Sequence, residues 1–272
     1  MSPAEWLQVF LRIGTRVRED VVPLSGTEAG RVQLAMGAGG DRTMEIDRLA
    51  EELVFAELKV LSDRGERFSV LSEEAGHRNF GADHPLVVVD PIDGSVNAKQ
   101  GIPLFNTMLA LLDGPRVGDA SVACVYNLTS DERWTAIRGE GFKRNGAPVT
   151  VLPREPGGRI ELLGLESSPR SLKAAAHLVE HASKVRILGS MALSMAHTAS
   201  GGLDAFCAPV PMRLFDMSAS LLLIAEAGGL ATDMQGGPID GLECTLAMRT
   251  TLLCAPDRQA HATALRAFAG PA

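Results

Sequence analysis

Residues 86–97, Leu-Val-Val-Val-Asp-Pro-Ile-Asp-Gly-Ser-Val-Asn, constrain the folding of this chain more than any other segment. An uninterrupted apolar run bounded by turn residues reads as a strand buried on both faces, and this one delivers Asp90 at its end. Pro91 lacks an amide and halts the simple hydrogen-bond ladder. Asp93 follows three residues later, Gly94 permits a tight backbone, and Ser95 suits the start of a helix. Two carboxylates this close at the end of a buried strand repel each other unless a cation lies between them. An Asx turn with a solvated second carboxylate is the plainer reading of the same residues. Hard oxygen donors without a His/Cys set favour Mg²⁺ or Mn²⁺ over zinc.

A strand buried on both faces needs layers around it, and the pattern supplies them. Ser2, Pro3 and Glu5 read as a helix N-cap, first position and capping-box partner. Trp6, Val9, Phe10, Ile13, Val17 and Val21 then keep helical spacing as far as Pro23. Residues 24–41 carry five glycines and read as a mobile loop or hairpin. A second helix runs through Ile46, Leu49, Leu53 and Leu58 to about Gly65, followed by strands near 68–71, 86–89, 107–112, 120–126 and 134–137. Asn145-Gly146 signals a type I′ hairpin. Composition shifts near 153–158, the expected boundary. Beyond it strands (160–165, 185–188, 205–207, 230–232, 251–254) alternate with helices (172–182, 191–198, 217–227, 258–268). The expected fold is a layered αβαβα arrangement. An α+β front half with an antiparallel sheet (1–152) lies on a mainly parallel α/β rear half (153–272).

With 272 residues, 46% of them apolar, the chain can bury a large core, and its formal net charge of −7 argues against a nucleic-acid partner. Its four cysteines form no CxxC pair, which suits a reducing compartment. The opening Ser-Pro-Ala-Glu-Trp shows no basic segment before an apolar run, and no apolar stretch approaches the ~18 residues of a membrane span. A soluble, cytoplasmic protein without a membrane partner is expected.

Further acids cluster in the sequence. Ser72-Glu73-Glu74 follows a strand, and alone would be a solvated face. Asp216 stands where a helix begins and alone would be an ordinary cap. Asp41 and Asp47 flank a short segment after Gly39-Gly40. Together these segments resemble the inositol monophosphatase superfamily of metal-dependent phosphomonoesterases, including its archaeal-type members similar to fructose-1,6-bisphosphatase. Residues 40–47 resemble GD-x-T-x-x-x-D, residues 72–74 the (S/G)EE segment, and 90–95 the DPIDGT signature. Residues 139–146 resemble G-x-G-A-x-x-N-G, 189–204 the GS…G-x-x-D stretch, and 216–229 the second signature WD-x-A…EAGG.

The resemblance covers nearly the whole chain and implies roles. Glu73, Asp90, the Ile92 carbonyl, Asp93 and Asp216 would hold two Mg²⁺ ions, Asp93 bridging them, with Asp41 assisting a third, weaker ion. Gly94 and Ser95 amides would receive the phosphate, as helix starts do. Asp93 would also meet the substrate. Ser95, where the family normally has Thr, would orient the attacking water with Asp47. Arg186 and Arg213 are candidate substrate contacts. The implied activity is hydrolysis of a small polyol or sugar phosphate, inositol 1-phosphate or fructose 1,6-bisphosphate, by a homodimer. Metal ions would activate water and neutralise charge, leaving positioning to the protein. Pro209, seven residues before Asp216, matches neither the Glu of inositol-preferring members nor the Arg of a bisphosphatase branch. A 3′-phosphoadenosine phosphate nucleotidase is the rival enzyme, and a non-catalytic scaffold the rival of another class. Clustered buried charge without a metal would be costly for the scaffold.

Overall fold

Ser2 opens the first helix by a reciprocal cap: its hydroxyl accepts the Glu5 amide at 3.3 Å, and its own amide donates to the Glu5 carboxylate at 2.6 Å. The computed structural model describes residues 1–36, 38, 42–151 and 159–270. Its first half comprises α1 (Pro3–Val21), β1 (Gln33–Met36), β2 (Arg42–Met44), α2 (Glu45–Asp63), β3 (Ser69–Ser72), β4 (Gly76–Asn79), β5 (Leu86–Asp93), α3 (Ser95–Gln100), β6 (Asn106–Leu112), β7 (Ala120–Asn127), β8 (Arg133–Ile137), β9 (Gly141–Arg144) and β10 (Ala147–Pro148). The second comprises β11 (Ile160–Leu165), α4 (Pro169–Ala174), α5 (Ala176–His181), β12 (Ala182–Arg186), α6 (Met191–Ala199), β13 (Ala205–Arg213), α7 (Ser218–Glu226), β14 (Leu230–Thr232), β15 (Arg249–Ala255) and α8 (Arg258–Ala269).

The larger sheet runs β10-β9-β8-β7-β6-β5-β3-β4, antiparallel except where β3 pairs with β5. β5 lies well inside this sheet, and all eight of its residues are buried, as its apolar run requires. The strand alternation divides the core. Val87, Val89 and Leu109 pack with Trp6, Phe10, Leu53 and Leu58 of α1 and α2. Val88, Met108 and Ala110 point the other way, onto Leu193, Met195, Leu222 and Leu223 of α6 and α7. Phe206, Ala208, Leu252 and Cys254 of the second sheet close over those same two helices, whereas Cys207, Leu253 and Ala255 face Leu178 and Ala264 on its far side. Helices, sheet, helices, sheet and helices therefore stack as five layers, and the expected layered fold is the observed one. Each fully buried Leu or Ile in these layers contributes about 1.5–3 kcal/mol.

The second sheet, β12-β11-β13-β15-β14, is mixed: β11 is parallel to β12 and β13, but β15 is antiparallel to both β13 and β14. The expected mainly parallel sheet is thus half realised: residues 233–248 join β14 to β15 without a helix, and β15 returns antiparallel between β13 and β14. The helix expected over 172–182 is broken at Ala175 (φ −96°, ψ 15°), which turns Ala175 and Leu178 into the core while Leu172 stays exposed. β13 runs further than the residues 205–207 expected, through Pro209 and Pro211. A register shift between Ala208 and Met212 accommodates residues that have no amide to pair. Asn145 and Gly146, at φ 53° and 79°, form the expected turn between β9 and β10. The expected boundary near 153–158 lies outside the described residues. All four cysteines are buried and free, and among the described residues no helix is long and apolar enough to cross a membrane.

Candidate active site

Asp90 and Asp93 are three residues apart, a spacing that puts side chains on opposite faces of a regular strand. Here the register shifts between them: Asp90 pairs with Met108 and Asp93 with Asn106, so Pro91 and Ile92 oppose Thr107 alone. The Thr107 hydroxyl donates to the Pro91 carbonyl at 2.8 Å and holds this bulge. The extra residue reverses the alternation, and Asp90 and Asp93 both reach one cleft at the strand end.

Glu73 arrives from the turn between β3 and β4. Glu51 of α2 pins that turn, its Oε1 accepting the Ser72 hydroxyl at 2.6 Å and the Ala75 amide at 2.7 Å. Asp216 comes from the other sheet, just beyond the β13 bulge. Ligand atoms of Glu73, Asp90 and Asp216 all lie within 4.8 Å of one another, and all three residues are buried. Arg213 bridges two of them, with Nη1 2.5 Å from Glu73 Oε1 and Nε 2.7 Å from Asp216 Oδ2.

Burial, then the neighbouring Glu73, Asp93 and Asp216 charges, holds the Asp90 carboxyl well above the usual range. Burial likewise pushes Asp216 up to about 8, against the opposing pull of Arg213. Asp90 Oδ1 and Asp216 Oδ1 are buried and have no hydrogen-bond partner. Such atoms are expensive unless something positive meets them. An all-carboxylate donor set with two unpartnered buried oxygens fits a hard divalent cation.

Asp93 is turned elsewhere. Its carboxylate accepts the Asn106 side-chain amide (2.9 Å), the Ser190 hydroxyl (2.5 Å) and the Met191 and Ala192 amides (3.2 and 2.8 Å) at the start of α6. A negative charge there is favoured by the helix dipole. Asp93 therefore lies beside the three-carboxylate cluster and anchors α6.

The cleft, about 350 Å³, is lined by Asp47, Glu73, Asp90, Ile92, Asp93, Gly94, Ser95 and Arg213, bringing together most of the expected site. Asp216 lines a narrower chamber of about 130 Å³ that also contains Asp93 and Arg213. Asp47 Oδ2 accepts the Met44 amide at 2.9 Å, and burial pushes its carboxyl up to about 7. Ser95 is the first residue of α3 and half-buried; no hydrogen bond joins its hydroxyl to Asp47. Asp41 lies outside the described residues. Arg186, expected near substrate, lines neither chamber. It is exposed at the end of β12, the edge strand of the second sheet, and donates to the Val185 carbonyl at 3.0 Å.

Sequence reasoning named Glu74 only as a member of the Glu-Glu segment, and it missed Lys99 in the cleft and Glu166 in the narrower chamber. Lys99 stands four residues after Ser95 on one helix, hence on the same face, which was a readable signal. Glu166 directly follows β11 at its carboxyl end, where ligands gather in such sheets. Burial opposes its charge, but donors from Ser171, Ser168 and Ser167 outweigh this and lower its pKa.

The model of the inositol monophosphatase family matches residues 15–270. The fructose-1,6-bisphosphatase/inositol-1-monophosphatase of Methanothermobacter thermautotrophicus is 33% identical over 267 residues, 94% of each chain. The inositol-1-monophosphatase of Mesorhizobium japonicum is 35% identical over 77% of this chain and 79% of its own. Among solved structures, the extragenic suppressor protein of Bartonella henselae superposes with a TM-score of 0.81 at 26% identity, covering 97% of this chain and 98% of that one.

Proposed function

The chain belongs to the inositol monophosphatase family and is a phosphatase of that type; from this premise we propose that it hydrolyses a small polyol or sugar monoester with Mg²⁺. The observation that carries the reading is the buried trio Glu73, Asp90 and Asp216, two of whose oxygens have no partner, opening onto a cleft. These three would hold the cation, with Asp93 and the Ile92 carbonyl as further donors and Asp41 serving a weaker ion. A bound divalent cation supplies charge neutralisation for the phosphate and a lower pKa for water.

The remaining work is positional. Gly94, Ser95 and Lys99 line the cleft and would orient the phosphate, Lys99 by its charge. Asp47 carries a carboxyl poised near neutrality, suited to take a proton relayed by the Ser95 hydroxyl from attacking water. The front half (1–152) contributes most of these groups and the rear half (153–272) Asp216, a division of labour that belongs to the same proposal. A reducing, cytoplasmic location suits four buried free cysteines, and the family resemblance implies a homodimer.

Phosphate release from inositol 1-phosphate, fructose 1,6-bisphosphate and 3′-phosphoadenosine phosphates tests the reading. Turnover of a polyol or sugar ester with Mg²⁺, abolished by EDTA, is expected. Activity indifferent to EDTA, or confined to the nucleotides, would contradict it.

A further inference from the structure

Arg213 forms ion pairs with two members of the carboxylate cluster. Its guanidinium meets Glu73 at 2.5 Å and Asp216 at 2.7 Å, and its charge lies 5.0 Å from the centre of the Phe215 ring. Its side chain is only 19% exposed. The β13 bulge after Ala208 sets the position of this residue at the strand end, where it faces both chambers.

We propose that Arg213 is the built-in counter-ion of the cluster and sets how tightly a divalent cation binds there, rather than serving as a substrate ligand. Three buried carboxylates without a positive partner would repel one another strongly. The guanidinium neutralises one of the three charges, and its planar fork lets it meet two different carboxylates at once. A divalent cation uses oxygen atoms from those same two residues. Whatever attraction Arg213 gives Glu73 and Asp216 is therefore shared with, or surrendered to, the cation, and affinity is lowered. The protein gains a cluster that stays folded at low cation concentration, in exchange for weaker binding.

This inference rests on reading the cluster as a divalent-cation site. Its test is isothermal titration of Mg²⁺ and Mn²⁺ into the full-length protein, R213Q and R213K, with melting curves at each Mg²⁺ concentration. R213Q should bind Mg²⁺ roughly tenfold tighter or more, because a neighbouring positive charge is gone. R213K keeps a charge and should fall nearer the wild type. Without added cation R213Q should melt below wild type, and Mg²⁺ should close that gap. Unchanged or weaker Mg²⁺ binding by R213Q overturns the inference, as does failure of R213Q to fold at any Mg²⁺ concentration. A raised KM with unaltered Mg²⁺ affinity would return Arg213 to the substrate. A wild type that binds no divalent cation and releases no phosphate would instead bring down the metal-site reading itself.

Discussion

Ser95 and Asp47 line one cleft without touching, so the role of the serine hydroxyl is decided by kinetics. If it relays a proton to Asp47, Ser95→Ala should lower kcat on the order of 10²-fold with KM nearly unchanged. Ser95→Thr keeps the hydroxyl and should keep most of the activity. A serine that merely starts α3, where Gly94 is the N-cap and no side chain caps the helix, would cost little stability when replaced and leave kcat intact. Measuring kcat beside the melting temperature separates the two. Two histidines away from the cleft make a pH prediction. Burial lowers the pKa of His197, which meets the edge of Trp134, and of His261, whose Nε2 lies 2.9 Å from the Thr232 hydroxyl. Both pKa values are lowered in the fold, so as pH falls through the ordinary value of about 6.5 the unfolded chain takes up protons more readily than the fold does. Stability should therefore fall as pH drops, and denaturant titrations of a His197→Gln/His261→Gln double variant should show a flatter decline. An unchanged slope would mean that burial of these two rings does not shape the pH dependence.

At the scale of elements, the site depends on two irregularities and a pinned turn. The β5 bulge aims Asp90 and Asp93 together, the β13 bulge positions Arg213 and Asp216, and Glu51 anchors the turn bearing Glu73. Glu51→Ala removes two hydrogen bonds without touching the cluster. It should destabilise by about 1–3 kcal/mol and raise the Mg²⁺ concentration for half-maximal activity. A Mg²⁺ response identical to wild type would show that the turn holds itself. Local signals made much of this legible: the reciprocal cap of α1, the Asn-Gly turn, and the apolar run ending in Asp90. Periodicity could not show where strands shift register, because bulges are set by pairing with a neighbour. For the same reason the capture of Asp93 by α6 was invisible, since Ser190 and Ala192 lie about a hundred residues away in sequence. The edge position of β12, the strand that carries Arg186, depends on strand order, and no single segment encodes that.

Across the whole molecule, the cluster joins what the layers separate. Glu73 and Asp90 come from the β3–β4 turn and β5 of the larger sheet, whereas Asp216 lies three residues past the end of β13 in the smaller one, so a cation held by all three would tie the two sheets together. Saturating Mg²⁺ should accordingly raise the melting temperature, by a free energy of about 2.7 kcal/mol at a hundred times Kd. Amide exchange should slow on both sides, near 72–93 and near 213–218, and protection on one side alone would contradict a shared ion. The most direct test is Asp90→Asn, read as phosphate release from inositol 1-phosphate and fructose 1,6-bisphosphate across a Mg²⁺ titration, with melting curves of the same samples. Asparagine keeps the shape but removes a charge that its neighbours repel. The account predicts a variant at least as stable as wild type without added Mg²⁺, no longer stabilised by it, and without measurable turnover. Turnover within about twofold of wild type, less than about 0.5 kcal/mol of barrier, would contradict it.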